Sequence, residues 1–149
     1  MLRPPDISFA SEIELDLGGL TCRIIHVGGD HAADSSIVYV PEERVVFLGD
    51  CFYPDIYHHT RRYTTAQLFP LLDRLLACEA DFYLPSHHPA PMTRAEFVAE
   101  ATLLRTIGQI VATAGPGRDA VLTALEQHRA APLSEDDIEI AGEFIAGLS

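Results

Sequence analysis

The sequence has few cysteines, and no stretch of it is both long and apolar. Its three cysteines, Cys22, Cys51 and Cys78, are an odd and widely spaced set. Such a set is not a disulfide framework and indicates a reducing compartment. No segment approaches the ~20 apolar residues that a transmembrane helix needs, and the N-terminal residues lack the apolar run of a signal peptide. We therefore expect a cytoplasmic protein that is not inserted in a membrane.

Basic residues are also scarce. There is no lysine, and ten arginines are outnumbered by 22 aspartates and glutamates, which gives a formal net charge of -12. Nucleic acids and anionic membrane surfaces are bound through clustered basic residues, so we exclude both as partners. The 149 residues, 48% of them hydrophobic, suffice for one domain with a buried core. The partner that we expect is a small-molecule substrate.

The remaining pattern alternates between strands and a helix. Two hairpins are predicted, one from strands at 12–17 and 20–27, the other from strands at 35–40 and 45–48. A short strand follows at 80–84 and ends before Pro85. Leucines at helical spacing lie between the last two strands, at positions 68, 71, 72, 75 and 76. Strand, helix and strand form a βαβ unit, so these two strands are parallel and the chain is of the α/β class.

Helix ends are indicated by capping residues. Thr64 and Gln67 fit a capping box before the leucine helix, although Pro70 predicts that the regular helix begins only near it. Further helices are predicted after Thr93, over residues 117–130 and after Ser134.

Three metal-ligating side chains are predicted to meet at one edge of the sheet. Asp50 directly follows the strand at 45–48, and His87 follows the strand at 80–84. Parallel strands end at the same edge, where open α/β folds bind ligands. The second hairpin places His31 beside Asp50. Two alternatives remain at this point: His31 bonds only to neighbouring backbone, and Asp50 is a helix-capping or turn residue.

The loop after Asp50 is a second candidate region. It lacks apolar periodicity, and loops of this length are often functional. Its candidates for contact with a substrate are Tyr57, His58, His59 and Arg61. The alternative is that its aromatic residues only pack the loop onto the core.

Three ordered motifs resemble the metallo-β-lactamase superfamily. They are Gly-Asp-His31-Ala-Ala-Asp-Ser, the Gly-Asp50 pair after the second hairpin, and Leu-Pro-Ser-His87. The family pattern is Gly-His-Thr-x-x-Ser, then Gly-Asp, then Leu-Pro-Gly-His. By this resemblance His31 is the third histidine of a first metal ion, Asp50 bridges two ions and His87 is the last ligand of the second ion. Cys51 is similar to a cysteine ligand of some relatives, but Asp50 occupies that position.

The resemblance implies an α/β fold that is half of an αβ/βα sandwich: a mixed sheet with helices, plus two C-terminal helices. Residues 1–116 would be the half-domain and residues 117–149 a helical extension. The amino-terminal His-x-His-x-Asp-His motif of the family does not occur in this sequence. The implied cofactor is zinc, as one or two ions. The implied activity is that of a metal-dependent hydrolase, in which activated water attacks an ester, thioester, amide or phosphoester.

Half of a two-sheet fold should leave an apolar sheet face uncovered. We expect a homodimer, or another partner, to cover that face; the alternative is that the helices after Gly117 fold over it. A second interpretation of function follows from the missing motif. In that interpretation the chain is a non-catalytic half-domain that serves in oligomerisation or interaction.

Overall fold

A computed structural model describes residues 3, 5–58 and 60–148 of the protein. Within these residues six strands form one mixed sheet in the order of the chain. The strands are β1 (Glu12–Asp16), β2 (Thr21–His26), β3 (Ser36–Val40), β4 (Val45–Gly49), β5 (Phe82–Pro85) and β6 (Met92–Thr93). β4 and β5 are parallel, and the other neighbours are antiparallel. The predicted α/β class and its parallel pair are confirmed.

Helix α1 (Thr65–Leu76) connects the two parallel strands. It begins five residues before Pro70, so the prediction of a start near that proline is wrong. The reason is the cap: Thr64 Oγ1 accepts a hydrogen bond from Gln67 N, and the Asp30 carboxylate takes the place of the Gln67 side chain by accepting from Thr64 N. Pro70 lies within the second turn, where it removes one backbone hydrogen bond and its ring crowds the Ala66 carbonyl.

Three further helices follow the sheet: α2 (Arg94–Ala114), α3 (Arg118–Arg129) and α4 (Glu135–Ala146). The leucine face of α1 packs against α2, and the apolar faces of α3 and α4 join the same core. Gly108 of α2 allows the Phe144 ring of α4 to approach, since an added Cβ would lie 2.8 Å from it. None of the helices in the described ranges is long and apolar enough to cross a bilayer.

The two faces of the sheet differ. The helices cover one face, where Ile37, Tyr39, Val46, Leu48 and Tyr83 are buried. The other face, here called the open face, has two apolar ladder rows: Ile13, Ile24, Val38, Phe47 and Leu84, and Leu15, Cys22, Val40, Val45 and Phe82. A third row, at one end of this face, consists of His26 and Ser36. Because α3 and α4 pack on α2, the alternative that they fold over the open face is wrong.

The start of α2 carries a complete capping box. Thr93 Oγ1 accepts from Glu96 N, and the Glu96 carboxylate accepts from Thr93 N. We expect Thr93→Ala to lower the free energy of unfolding by about 1 kcal/mol, because the Glu96 N–H loses its acceptor, Thr93 Oγ1. Chemical denaturation measures this change. Thr113→Ala, at an exposed position of the same helix, is the control and should change stability by less than about 0.5 kcal/mol.

Candidate metal centre

The loop before β3 is fixed by its contact with α1. Gly28 and Gly29 have positive φ angles of 66° and 128°, which reverse the chain after β2. The Asp30 carboxylate then accepts hydrogen bonds from Thr64 N at 3.0 Å and from Thr64 Oγ1 at 2.7 Å. Burial raises the pKa of Asp30, and the bonds from Thr64 oppose that shift. His31, the next residue, is thereby held at the edge of the sheet.

The His31 ring is oriented by its own hydrogen bond. Its Nδ1 lies 3.2 Å from the Pro54 carbonyl oxygen, and the Tyr57 ring packs edge-on against it at 5.7 Å between centroids. A carbonyl only accepts, so Nδ1 carries the proton. The backbone bond that was one alternative for His31 is therefore present. It leaves Nε2 as the free nitrogen, 3.6 Å from Asp50 Oδ2.

Asp50 lies between two imidazoles. Its Oδ2 faces His31, and its Oδ1 lies 3.4 Å from His87 Nε2. His87 reaches this position because the strands before Asp50 and His87 are parallel neighbours. The His87 backbone N–H donates to the Tyr53 hydroxyl, and the two rings pack at 5.4 Å. The three residues that the sequence singled out thus lie side by side, with the carboxylate in the middle.

Neither imidazole is hydrogen-bonded to this carboxylate, and Asp50 Oδ1 is buried without a hydrogen-bond donor among the described residues. The separations instead resemble those of co-ligands, since two donor atoms on one tetrahedral zinc ion lie about 3.4 Å apart. In a neutral His31 ring whose proton is on Nδ1, the Nε2 lone pair faces the carboxylate, and a cation between the two groups would remove this repulsion. The donor types and the orphaned oxygen therefore fit zinc.

The donors form two pairs rather than one compact group. In the described part of the chain, no set of three or more His, Cys, Asp or Glu side chains is gathered closely enough to hold a single ion. His31 and Asp50 make one pair, and Asp50 and His87 make the other. Asp50 is common to both.

Cys51 follows Asp50 directly but points into the core, where it is 1% exposed. Burial, together with the Asp50 charge, raises the pKa of its thiol to about 12. The Cys51 side chain is part of the hydrophobic core, so it does not join the His31 and Asp50 donors.

The loop candidates lie in different places. Tyr57 packs on His31, and His58 Nδ1 lies 2.5 Å from Asp55 Oδ2. Arg61 extends to α4, where its Nε pairs with Glu143 at 2.8 Å, so it ties the loop to the helical layer. His59 lies outside the described residues.

Asp55 is the residue of this loop that sequence reasoning missed. Its carboxylate is buried and accepts from Tyr57 N, His58 Nδ1 and Arg62 Nε. Burial alone would raise the pKa of Asp55, but these hydrogen bonds outweigh burial and lower it. The available signal was Pro54-Asp55 at the start of the loop, a common turn pattern.

A cavity of about 880 Å³ borders the site on the His31 side. His31, Tyr57, His58 and Arg62 form one wall, and Phe144 of α4 contributes to another. A space of this size holds a small molecule.

No family model matches the sequence, and no curated protein matches it. Solved structures do match the fold. A metallo-beta-lactamase from Pontibacter korlensis is 26% identical, with a TM-score of 0.52 over 68% of this chain and 49% of its own. A beta-lactamase domain protein from Burkholderia ambifaria is 17% identical, with a TM-score of 0.59 over 98% of this chain and 46% of its own.

A metallo-beta-lactamase family protein from Thermus thermophilus is 18% identical, with a TM-score of 0.54 over 96% of this chain and 48% of its own. The chain spans about half the length of these structures. The predicted resemblance to part of the metallo-β-lactamase fold is confirmed.

Proposed function

We propose that this chain, which has a partial metallo-β-lactamase fold, supplies half of the metal centre of a metal-dependent hydrolase. The observation that carries the proposal is the Asp50 carboxylate, placed between two imidazole nitrogens with one buried oxygen lacking a hydrogen-bond donor among the described residues. Two imidazoles and a carboxylate are the ligand types that zinc prefers.

His31 and Asp50 would hold one zinc ion, and Asp50 and His87 a second. Catalytic zinc sites have three protein ligands, so each ion is short of ligands from this chain. When bound, zinc lowers the pKa of water and stabilises negative charge that develops on an ester, thioester, amide or phosphoester. The Pro54 carbonyl makes the His31 ring a stronger ligand because it accepts a hydrogen bond from the Nδ1–H.

The cavity beside His31 is the proposed substrate site. His58 lines it, and the Asp55 carboxylate accepts a hydrogen bond from the His58 Nδ1–H. This arrangement leaves His58 Nε2 free to take a proton from a reacting group. His58 would therefore provide the general base that the metal ligands do not.

A second candidate function is a non-catalytic interaction module. It is favoured by the lack of a three-ligand group among the described residues and by the uncovered sheet face. The two functions differ in whether the purified protein holds metal.

Elemental analysis after equilibration with zinc tests the proposal. Since each ion has only two ligands from this chain, we expect zinc to bind at an excess of the free ion, with the content reduced in His31→Ala and in His87→Ala. His128→Ala, an exposed histidine on α3, is the matched control and should leave the content unchanged. Zinc-dependent turnover of a chromogenic ester, thioester or phosphoester would support the hydrolase. Metal-free, inactive protein would support the module instead.

A further inference from the structure

Two neighbouring ladder rows of the open face are apolar, and the polar pair His26 and Ser36 lies at one end of them. The ten side chains of these two rows are uncharged and come from five adjacent strands. Phe47 lies at the centre of the face and Phe82 near one edge, and each is 45% exposed. A contiguous exposed apolar surface on a protein marks a site of interaction with another molecule.

The alternation of polar and apolar residues along β1 indicates which side of the sheet is covered. Glu12, Glu14 and Asp16 lie on the helix-covered side but are exposed, because the helices do not extend over this edge strand. Ile13 and Leu15 lie on the open face and are half-buried. If water covered both sides of β1, burial would not favour apolar side chains on one of them. The pattern therefore indicates an apolar layer over the open face, reaching as far as β1.

We infer that a second copy of this chain covers the open face, in a symmetric dimer with the two sheets packed face to face. Because both ladder rows are uncharged, two copies bring no like charges into contact there. Charged groups lie on the other side of the sheet, as in the Arg23–Glu12 pair at 2.6 Å.

The apolar area that two copies could bury reaches the lower limit for a dimer interface. The two phenylalanines still expose about 180 Å² and the half-buried side chains about 300 Å² more. Two copies would thus bury about 1,000 Å² in total, the lower limit of a specific interface. Each copy carries a net charge of -12, so long-range repulsion opposes association and added salt should strengthen it.

Analytical ultracentrifugation at micromolar concentration tests this inference, which does not depend on the proposed function or on metal. We expect a dimer for the natural chain and a dissociation constant raised by ~100-fold in Phe47→Glu, because a buried charge would face its own copy. Val98→Glu, at an apolar position on α2 that is 39% exposed, should remain a dimer. Circular dichroism checks that both variants fold.

Cys22 provides a second readout, since it lies on the open face whereas Cys51 and Cys78 are buried. Alkylation of Cys22 should slow as protein concentration rises. A monomer with reactive Cys22 would overturn the inference. A monomer with protected Cys22 would overturn it too, because another part of the polypeptide would then cover the face. A dimer that Phe47→Glu leaves intact would place the contact elsewhere and equally contradict it.

Discussion

Asp50→Asn is expected to abolish zinc binding without destabilising the metal-free protein. Asp50 is the only anionic donor of the three proposed ligands, and it belongs to both donor pairs. Asparagine keeps the shape of the side chain but removes the charge that zinc requires. We expect affinity for zinc to fall by more than ~100-fold, which exceeds the effect of losing either histidine.

The thermal stability of the two proteins should diverge when zinc is added. A ligand present at 100 times its dissociation constant stabilises the folded state by about 2.7 kcal/mol. The natural chain should therefore melt at a higher temperature with zinc, and Asp50→Asn should not. Without zinc the variant should be at least as stable, because Asp50 Oδ1 is buried without a hydrogen-bond donor among the described residues.

The matched control is Asp34→Asn, an exposed aspartate in the loop that carries His31. It removes the same charge near the site but not a proposed ligand. Its zinc affinity and its zinc-dependent rise in melting temperature should match those of the natural chain. If Asp50→Asn retained zinc with full affinity, the ligands would lie elsewhere and the proposed centre would be wrong.

Local rules sufficed to predict where the three candidate ligands lie. Asp50 and His87 each follow a strand, and once those strands are parallel their ends meet at one edge. His31 is placed by a hairpin whose register follows from its turn. These relations depend on strand direction and spacing, both of which are visible in a sequence.

Contacts between side chains of different elements were not predictable in the same way. The start of α1 depends on Asp30, which caps the helix from 34 residues away. Arg61 could equally have faced a substrate, but Glu143 of α4 binds it. The position of α4 on α2 depends in turn on Gly108, where a missing side chain admits Phe144. Long-range pairings of this kind leave no periodic pattern in the sequence.

Gly29→Ala is expected to be the most damaging single-methyl change near the site. The residue has a φ of 128°, and an added Cβ would lie 2.9 Å from the Cys51 carbonyl oxygen and 3.1 Å from Leu71 Cδ2. The strained φ costs about 1 kcal/mol, and the clash with a buried backbone costs about 1–3 kcal/mol more. Chemical denaturation should therefore show a loss of about 2–4 kcal/mol.

Gly19→Ala separates the two costs. Gly19 has a similar φ of 118°, but its added Cβ would meet nothing within 4 Å. We expect it to lose only about 1 kcal/mol, so the difference between the two variants measures the clash. Equal losses would mean that the loop yields without strain.

The same clash should also change the geometry of the metal centre. Gly29 is two residues before His31, and the carbonyl it would strike belongs to the residue after Asp50. Relief of the contact must move the His31 loop away from the end of β4, which changes the 3.6 Å separation of His31 Nε2 and Asp50 Oδ2. Zinc affinity should fall by about tenfold in the folded fraction of Gly29→Ala. Gly19 lies in the distant turn between β1 and β2, so Gly19→Ala should bind zinc like the natural chain. Unchanged affinity in Gly29→Ala would show that the two donors do not depend on this close packing.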